Sequence, residues 1–215
     1  MSPPSPHPRR TRLPRAFYSR DPRVVAPELL NKILLRDDGR AGRIVEVEAY
    51  AGAEDPAAHS YRGKTARNAT MFGPGGHLYV YFTYGMHWCA NAVCGRPGEG
   101  VGVLLRAMEP LDGIELMREA RRFPARTRDI ASGPGRLAQA MGIDRTFDGA
   151  DLVTMERGIT IVSDGTPPPE HPIAGPRIGI RHAVEHPWRW HVPEHAHVSK
   201  TRAGVPPARK GRGKT

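Results

Sequence analysis

The sequence predicts one mixed α/β domain, with short peripheral helices around β-strands and a projecting β-hairpin. Three observations lead there. The length, 215 residues, suits a single well-packed core and does not require a second. From Leu78 to Asn91, LYVYFTYGMHWCAN, the side chains alternate with period two before Gly85. That is the signature of a strand entering a turn that uses glycine's positive φ. Elsewhere, short stretches with helical apolar spacing lie between strand-like runs.

In chain order, residues 1–15 hold Pro3, Pro4, Pro6, Pro8 and Pro14 and four arginines without an acid, and are expected to form a disordered basic arm. Pro27 at a first helical position opens PELLNKILL, a core helix with a Leu29, Leu30, Ile33, Leu34 stripe that runs into a strand. Asp38-Gly39 is a turn signal that delivers the chain into RIVEVEAY, Arg43 to Tyr50. In that strand Val45, Val47 and Ala49 are expected on the core face, and Ile44, Glu46, Glu48 and Tyr50 on the other. Two glutamates on one strand face are ordinarily just solvated. The next loop, AGAEDPAAHSYRGKTARN, is long and polar and holds His59, Arg62, Lys64 and Arg67, which favours function.

FGPGG, Phe72 to Gly76, turns into the hairpin, which sets Tyr84 at or beside its tip. Aromatic residues on a hairpin usually pack a core, but a ring beside Gly85 and Met86 at a turn has few neighbours to cover it. From Tyr61 to Arg106 there are five basic residues and one acid, Glu99; that local charge fits a phosphate-lined surface and makes Arg67 a candidate phosphate contact. Val101 to Leu105 reads as a strand ending at Arg106, and LDGIELMREARR as an amphipathic helix. In ASGPGRLAQAMGI, Ser132 is the expected N-cap and a second candidate phosphate contact, and Gly142 the C-cap. Ile159 to Val162, Arg177 to Ile180 and Trp188 to Val192 read as later strands. Residues 201–215 carry three Arg, two Lys and no acid and are expected to be a second disordered tail, leaving 16–200 as the domain.

Charge and composition exclude several classes. The formal net charge is +10, but residues 16–200 hold 23 basic against 22 acidic side chains. A uniformly basic DNA-coating surface is therefore not supported, while the tails suit either delocalised polyanion binding or a solubilising role. No apolar run resembles a signal peptide or approaches the roughly 20 residues of a membrane span, so a cytoplasmic protein is expected, nucleoid-associated if bacterial, with no membrane partner. Cys89 and Cys94 fall on opposite faces of one strand and cannot pair there, and two thiols are too few for a zinc site. The late histidines His182, His186, His191, His195 and His197 have no acidic or cysteine partner at ligand spacing, so no metal is expected. There is no Walker loop, dinucleotide fingerprint or zinc-finger spacing.

RIVEVEAYAGAEDPAAHS, Arg67-Asn68, Met71-Phe72, LYVYFTYGMHWCAN, VLLRAMEP and SGPGRLAQAMGI occur in this order between about Ala26 and Val192. Together they resemble the alkyladenine (3-methyladenine) DNA glycosylase family. The resemblance implies a single mixed α/β domain around a curved, open-barrel-like antiparallel sheet, needing no metal and no redox cofactor. It implies a partner, double-stranded DNA containing damaged purines, met by a monomer. Position by position, Glu48 matches the base that activates water, and Arg106 an arginine beside that water. Tyr50, His59 and Tyr81 match walls of the base pocket, and Asn91 a screen against the amino group of normal guanine. Tyr84 matches the residue that fills the gap left by a flipped nucleotide; Met86 and His87 match its groove-contacting neighbours. One stretch departs: HVPEHAHVSK stands where many relatives have a YVxGSPWVS-like run. No lysine occupies a matched pocket position, so a monofunctional enzyme without strand cleavage is implied, acting on 3-methyladenine, 7-methylguanine, hypoxanthine and ethenoadenine-type lesions. The alternative is a non-catalytic damaged-DNA-binding protein using the same hairpin.

Overall fold

The computed structural model of the chain describes residues 9–83 and 85–200. The wedge assigned to Tyr84, and the tails 1–8 and 201–215, lie outside the described residues. The elements are β1 (Thr11–Arg12), α1 (Arg15–Tyr18), α2 (Pro22–Leu29), β2 (Ile33–Arg36), β3 (Ala41–Tyr50), β4 (His77–Thr83), β5 (His87–Cys94), β6 (Val101–Asp112), α3 (Ile114–Ala120), α4 (Pro134–Ala140), β7 (Ala150–Asp151), β8 (Ile159–Ser163), β9 (Ile173–Gly175) and β10 (Arg189–His191). Every strand pairing is antiparallel, in the order β1-β8-β2-β3-β6-β5-β4-β7, with β10 on β3 and β9 on β10. Strand β3 is the axis: one edge carries β6, and the other is shared by β2 at Ala41–Arg43 and β10 at Glu46–Glu48. The two ends of the path approach each other, where Thr160 Oγ1 on β8 donates to the Leu152 carbonyl just past β7 at 2.5 Å. The sheet is thus curled into a half-barrel, the curved sheet that the family resemblance implied.

One face of this sheet is apolar and covered. Val47, Leu78, Val80, Ala90, Val103 and Leu105 share a single buried cluster with Leu29 of α2 and Leu137 of α4, and each large side chain so buried contributes about 1.5–3 kcal/mol. The other face holds Glu48, Tyr50, Tyr79, Tyr81, Asn91 and Arg106. Strict alternation along β3 misplaces Ile44 and Val45. The pairing with β6 shifts register between Ile44 and Glu46 and again before Val47, so Val45 is an extra residue in a β-bulge. Ile44 consequently joins the core with Val47 and Ala49 instead of sharing the face of Glu48. Bulges of this kind re-aim side chains next to functional sites.

Other elements differ from the sequence expectation for identifiable reasons. Helix α2 starts five residues before Pro27: Asp21 caps it by accepting from Arg23 N–H at 2.7 Å, Pro22 takes the first position and Pro27 lies inside. Asn31, at φ 66°, ends this turn, and Ile33 and Leu34 belong to a strand. The inner end of the expected N-terminal arm is structured, since Thr11 and Arg12 pair with Ser163 and Val162 and Leu13 is buried. Ser132 is not a cap; Gly133 takes that position without a side-chain bond, and Ser132 Oγ accepts from Arg136 instead. Arg177 to Ile180 is not a strand but bends at Ile178 and Gly179, with the Arg177 side chain on Asp55 and the Ile178 amide on Glu48. Cys89 and Cys94 are both free and buried. Among the described residues no helix is long and apolar enough to cross a membrane.

Candidate active site

Strand β3 carries the site's two glutamates two residues apart, which the pleat turns to the same side. Both are fully buried, so neither is the solvated surface residue that composition alone would suggest. Glu48 Oε1 accepts from the Ile178 backbone N–H at 2.7 Å and lies 3.1 Å from Arg106 Nη1; its Oε2 accepts from the Tyr50 hydroxyl at 2.9 Å. All three neighbours are donors, the complement of a carboxylate. Glu46 Oε1 accepts from Arg106 Nε at 2.9 Å and Arg189 Nε at 2.7 Å, and Ser199 adds its N–H and hydroxyl, each at 2.8 Å. Burial pushes the Glu46 carboxyl up, but Arg106, Ser199 and Arg189 outweigh it and hold the pKa below its ordinary value. Burial likewise works against charged Arg106, yet Glu48 and Glu46 keep its pKa raised.

A third buried pair holds the loop after β3. Arg177 forks onto Asp55 at 2.5 and 2.8 Å, bonds the Ala49 carbonyl at 2.9 Å and lies 4.7 Å over the Tyr50 ring. Asp55 in turn accepts from the amides of Ala51 and Ala57. The loop is further fastened by buried Asn68, whose Nδ2 donates to the carbonyls of His59 and Gly63 and whose Oδ1 accepts from Thr65 N–H.

Tyr50, His59, Tyr79, Tyr81, Asn91 and Arg106 line one cleft of about 660 Å³, to which His87, Ser132 and Ile178 also contribute. His59 stands edge-on to Tyr81 with ring centres 4.4 Å apart, and Tyr79 stacks on Tyr81 at 5.4 Å. Desolvation, helped by Arg67, lowers the His59 pKa, so the ring is neutral near pH 7. Burial pushes the Tyr79 hydroxyl up to about 12 and raises those of Tyr50 and Tyr81 as well. The aromatic wall is therefore uncharged, and its ring faces favour a cationic guest. Glu48 lies just behind this wall, screened by Tyr50, Arg106 and Ile178.

The hairpin turn closes with Met86 N–H on the Thr83 carbonyl at 3.1 Å, Gly85 at φ 66° supplying the left-handed position. Met86 is 69% exposed, an apolar tip facing solvent. His87 rests against the start of α4, where a Cβ on Gly135 would meet the His87 Cβ at 2.9 Å.

The family model described as Methylpurine-DNA glycosylase (MPG) matches residues 16–196. The chain belongs to the methylpurine-DNA glycosylase family. Relatives of this glycosylase are named "Putative 3-methyladenine DNA glycosylase". The one from Burkholderia lata is 65% identical over 187 residues, covering 87% of this chain and 90% of the relative. Those from Koribacter versatilis and Streptomyces avermitilis are 51% and 47% identical, covering 88% and 94% of this chain and 94% and 98% of the relatives. The protein is thus a DNA repair enzyme that hydrolyses N-glycosyl bonds of alkylated bases, and damaged DNA is its substrate.

In the glycosylase, the residues singled out in the sequence fall into three groups. Glu48, Arg106, Tyr50, His59, Tyr81 and Asn91 converge on the cleft and the layer behind it. Arg67 is exposed in the loop, but its Nη2 already donates to the Phe82 carbonyl at 2.7 Å, bracing the hairpin. Phe82 of the hairpin is 41% exposed and packs on Trp88. Sequence reasoning missed Tyr79, although it shares the parity of Tyr81, and it missed Glu46, Asp55, Arg177, Ile178, Arg189 and Ser199.

Proposed function

We propose that this glycosylase rotates alkylated or deaminated purines out of duplex DNA, receives them in the aromatic cleft, and cleaves the N-glycosidic bond with a water activated by Glu48. Flipping costs a few kcal/mol of stacking and pairing. The hairpin tip, through Tyr84 with Met86 and His87 beside it, fills the vacated space from the minor groove, as apolar wedges do elsewhere. The exposed guanidiniums of Arg67 and Arg136, with Ser132 on the cleft wall, take flanking phosphates.

A cationic base such as 3-methyladenine or 7-methylguanine gains about 0.5–2 kcal/mol per aromatic face in a neutral, partly desolvated wall, and a neutral purine gains less. Neutral His59 avoids repelling it. Asn91, buried on the cleft wall with Nδ2 3.4 Å from the Tyr79 carbonyl, screens against the amino group of guanine. The positive charge also makes the base a good leaving group. What remains is to position a water and stabilise an electron-poor sugar, and a carboxylate does both. Its two oxygens offer about four acceptor sites; Arg106, Ile178 and Tyr50 occupy three, which leaves one on Oε2 for the water. Among the described residues no lysine lines the cleft, consistent with hydrolysis without Schiff-base strand cleavage.

The observation that carries this reading is Glu48 held by three donors directly behind the aromatic cleft. The test is release of free base from duplex oligonucleotides bearing methylated purines, hypoxanthine or ethenoadenine. Glu48→Gln is expected to slow release by about 10²–10⁴-fold while damaged-DNA binding persists. Unchanged release by that variant, or a borohydride-trapped covalent adduct of the native enzyme, would overturn the mechanism.

A further inference from the structure

The segment that departs from the family pattern, HVPEHAHVSK, folds back over β3 and β6. Val192 N–H bonds the Val45 carbonyl at 3.0 Å, and Ser199 reaches Glu46. Between those two anchors His195 and His197 come beside Glu109 of β6, a partner that spacing along the chain could not reveal. One ligand atom from each of the three lies within 4.8 Å of the others, and His195 Nε2 is 3.5 Å from Glu109 Oε2. His197 adds an independent observation. Both of its ring nitrogens are shielded from solvent, and neither has a hydrogen-bond partner among the described residues. Ring nitrogens left dry and unbonded cost about 1–3 kcal/mol per unmade bond, and such a group calls for an explanation.

We propose that Glu109, His195 and His197 bind one zinc-class divalent cation, which pins the C-terminal segment to β6. Two imidazole nitrogens with one carboxylate oxygen suit Zn²⁺ and its first-row neighbours, not the all-oxygen shells of Mg²⁺ or Ca²⁺. Bond lengths near 2.0–2.2 Å set tetrahedral ligand atoms roughly 3.4 Å apart, so side-chain rotations of about an ångström close the site around the ion. Ligation by His195 through Nε2 moves its proton to Nδ1 and gives up the long 3.3 Å contact from His197 N–H. The three residues lie outside the cleft lining, so the ion is structural and takes no part in hydrolysis. By fixing the turn before Ser199 it steadies the donors on Glu46. This inference does not depend on the proposed mechanism.

The test is Zn²⁺ binding to the full chain in competition with a chromophoric chelator, alongside thermal melts with and without Zn²⁺. One equivalent is expected to bind more tightly than about 10 μM and, at a hundredfold excess over Kd, to raise Tm by about 5–10 °C. His195→Gln and the half-exposed, near-isosteric Glu109→Gln should each lose both effects, while His171→Gln, on an exposed loop, keeps them. No stoichiometric binding by the native chain, or retention of the equivalent in both His195→Gln and Glu109→Gln, would overturn the site and mark any bound zinc as an adventitious ion only.

Discussion

Replacing Arg177 by methionine tests whether the buried pair behind Tyr50 organises the active site. The partner oxygens lie at 2.5 and 2.8 Å, and neither side chain is exposed. Removing one partner of such a pair typically costs about 3–5 kcal/mol, because the surviving charge stays buried. Two local effects set the position within that range. Asp55 keeps the Ala51 and Ala57 amides, at 3.2 and 3.0 Å, which softens its loss. The Ala49 carbonyl loses a 2.9 Å donor, adding about 1–3 kcal/mol if it remains dry. These offset, and the middle of the range stands, equivalent to a Tm drop of roughly 10 °C for a chain of this length. A differential scanning melt reads the stability, and base release at a temperature where the variant is folded reads the site. Release should fall beyond what stability explains, since Ile178, the next residue, holds Glu48 Oε1 at 2.7 Å and small misplacements near reacting groups can cost about 10²-fold. The double variant Asp55→Leu/Arg177→Met should recover much of the stability, because an apolar replacement of both charges is often near neutral. A Tm drop below about 2 °C for the single variant, or a double variant as damaged as the sum of the singles, would refute the reasoning.

Two further expectations rest on other groups. Glu46 has a pKa held below its ordinary 4.5 in the folded state, so its ion-pair stabilisation is complete above that pH and lost as pH falls through the folded value. Denaturant melts from pH 7 to pH 3 should show the gap between native enzyme and Glu46→Gln narrowing toward acid; a gap constant with pH would exclude this role. Asn91→Ala should release measurable guanine from undamaged duplex DNA while retaining 7-methylguanine release, and an unchanged ratio of the two rates would remove Asn91 from discrimination.

What could be read from the sequence divides by the distance between partners. Glu48 and Tyr50 lie two residues apart, and the parity of one strand places them together; the Asp38-Gly39 and Gly85 turns are equally local and appear where expected. The partners of Asp55, Glu48 and Glu46 at Arg177, Ile178, Arg189 and Ser199 are more than a hundred residues away, and no period in the chain encodes them. Glu109 and His195 are also far apart along the chain, and no period brings them together. The bulge at Val45 is illegible for another reason: it shifts the pleat by one residue without a glycine or proline to mark it. Ser132 fails as a cap because Gly133 and Pro134 occupy the Ncap and first positions. Even Pro27, a helix-start signal in isolation, is overruled by Asp21-Pro22 five residues earlier.

The long-range partners have a common origin that bears on function. Glu46, Glu48 and Asp55 of the site are paired with three buried arginines, Arg106 with both glutamates, Arg189 with Glu46 and Arg177 with Asp55. Only Arg106 comes from the half-barrel strands of the hairpin region. Arg177, Arg189, the Ile178 amide and both Ser199 donors come from the segment 177–199, which contributes little regular structure beyond the three residues of β10. Such a segment has few ladder bonds of its own and belongs to the less stable end of a fold. Its retention on β3 therefore depends on the ion pairs it completes, and those ion pairs depend on its retention. The same segment that closes the cleft beside Tyr50 gives Glu48 the Ile178 amide and gives Asp55 and Glu46 their partners Arg177 and Arg189. Docking of the C-terminal segment and pairing of these buried carboxylates are one event.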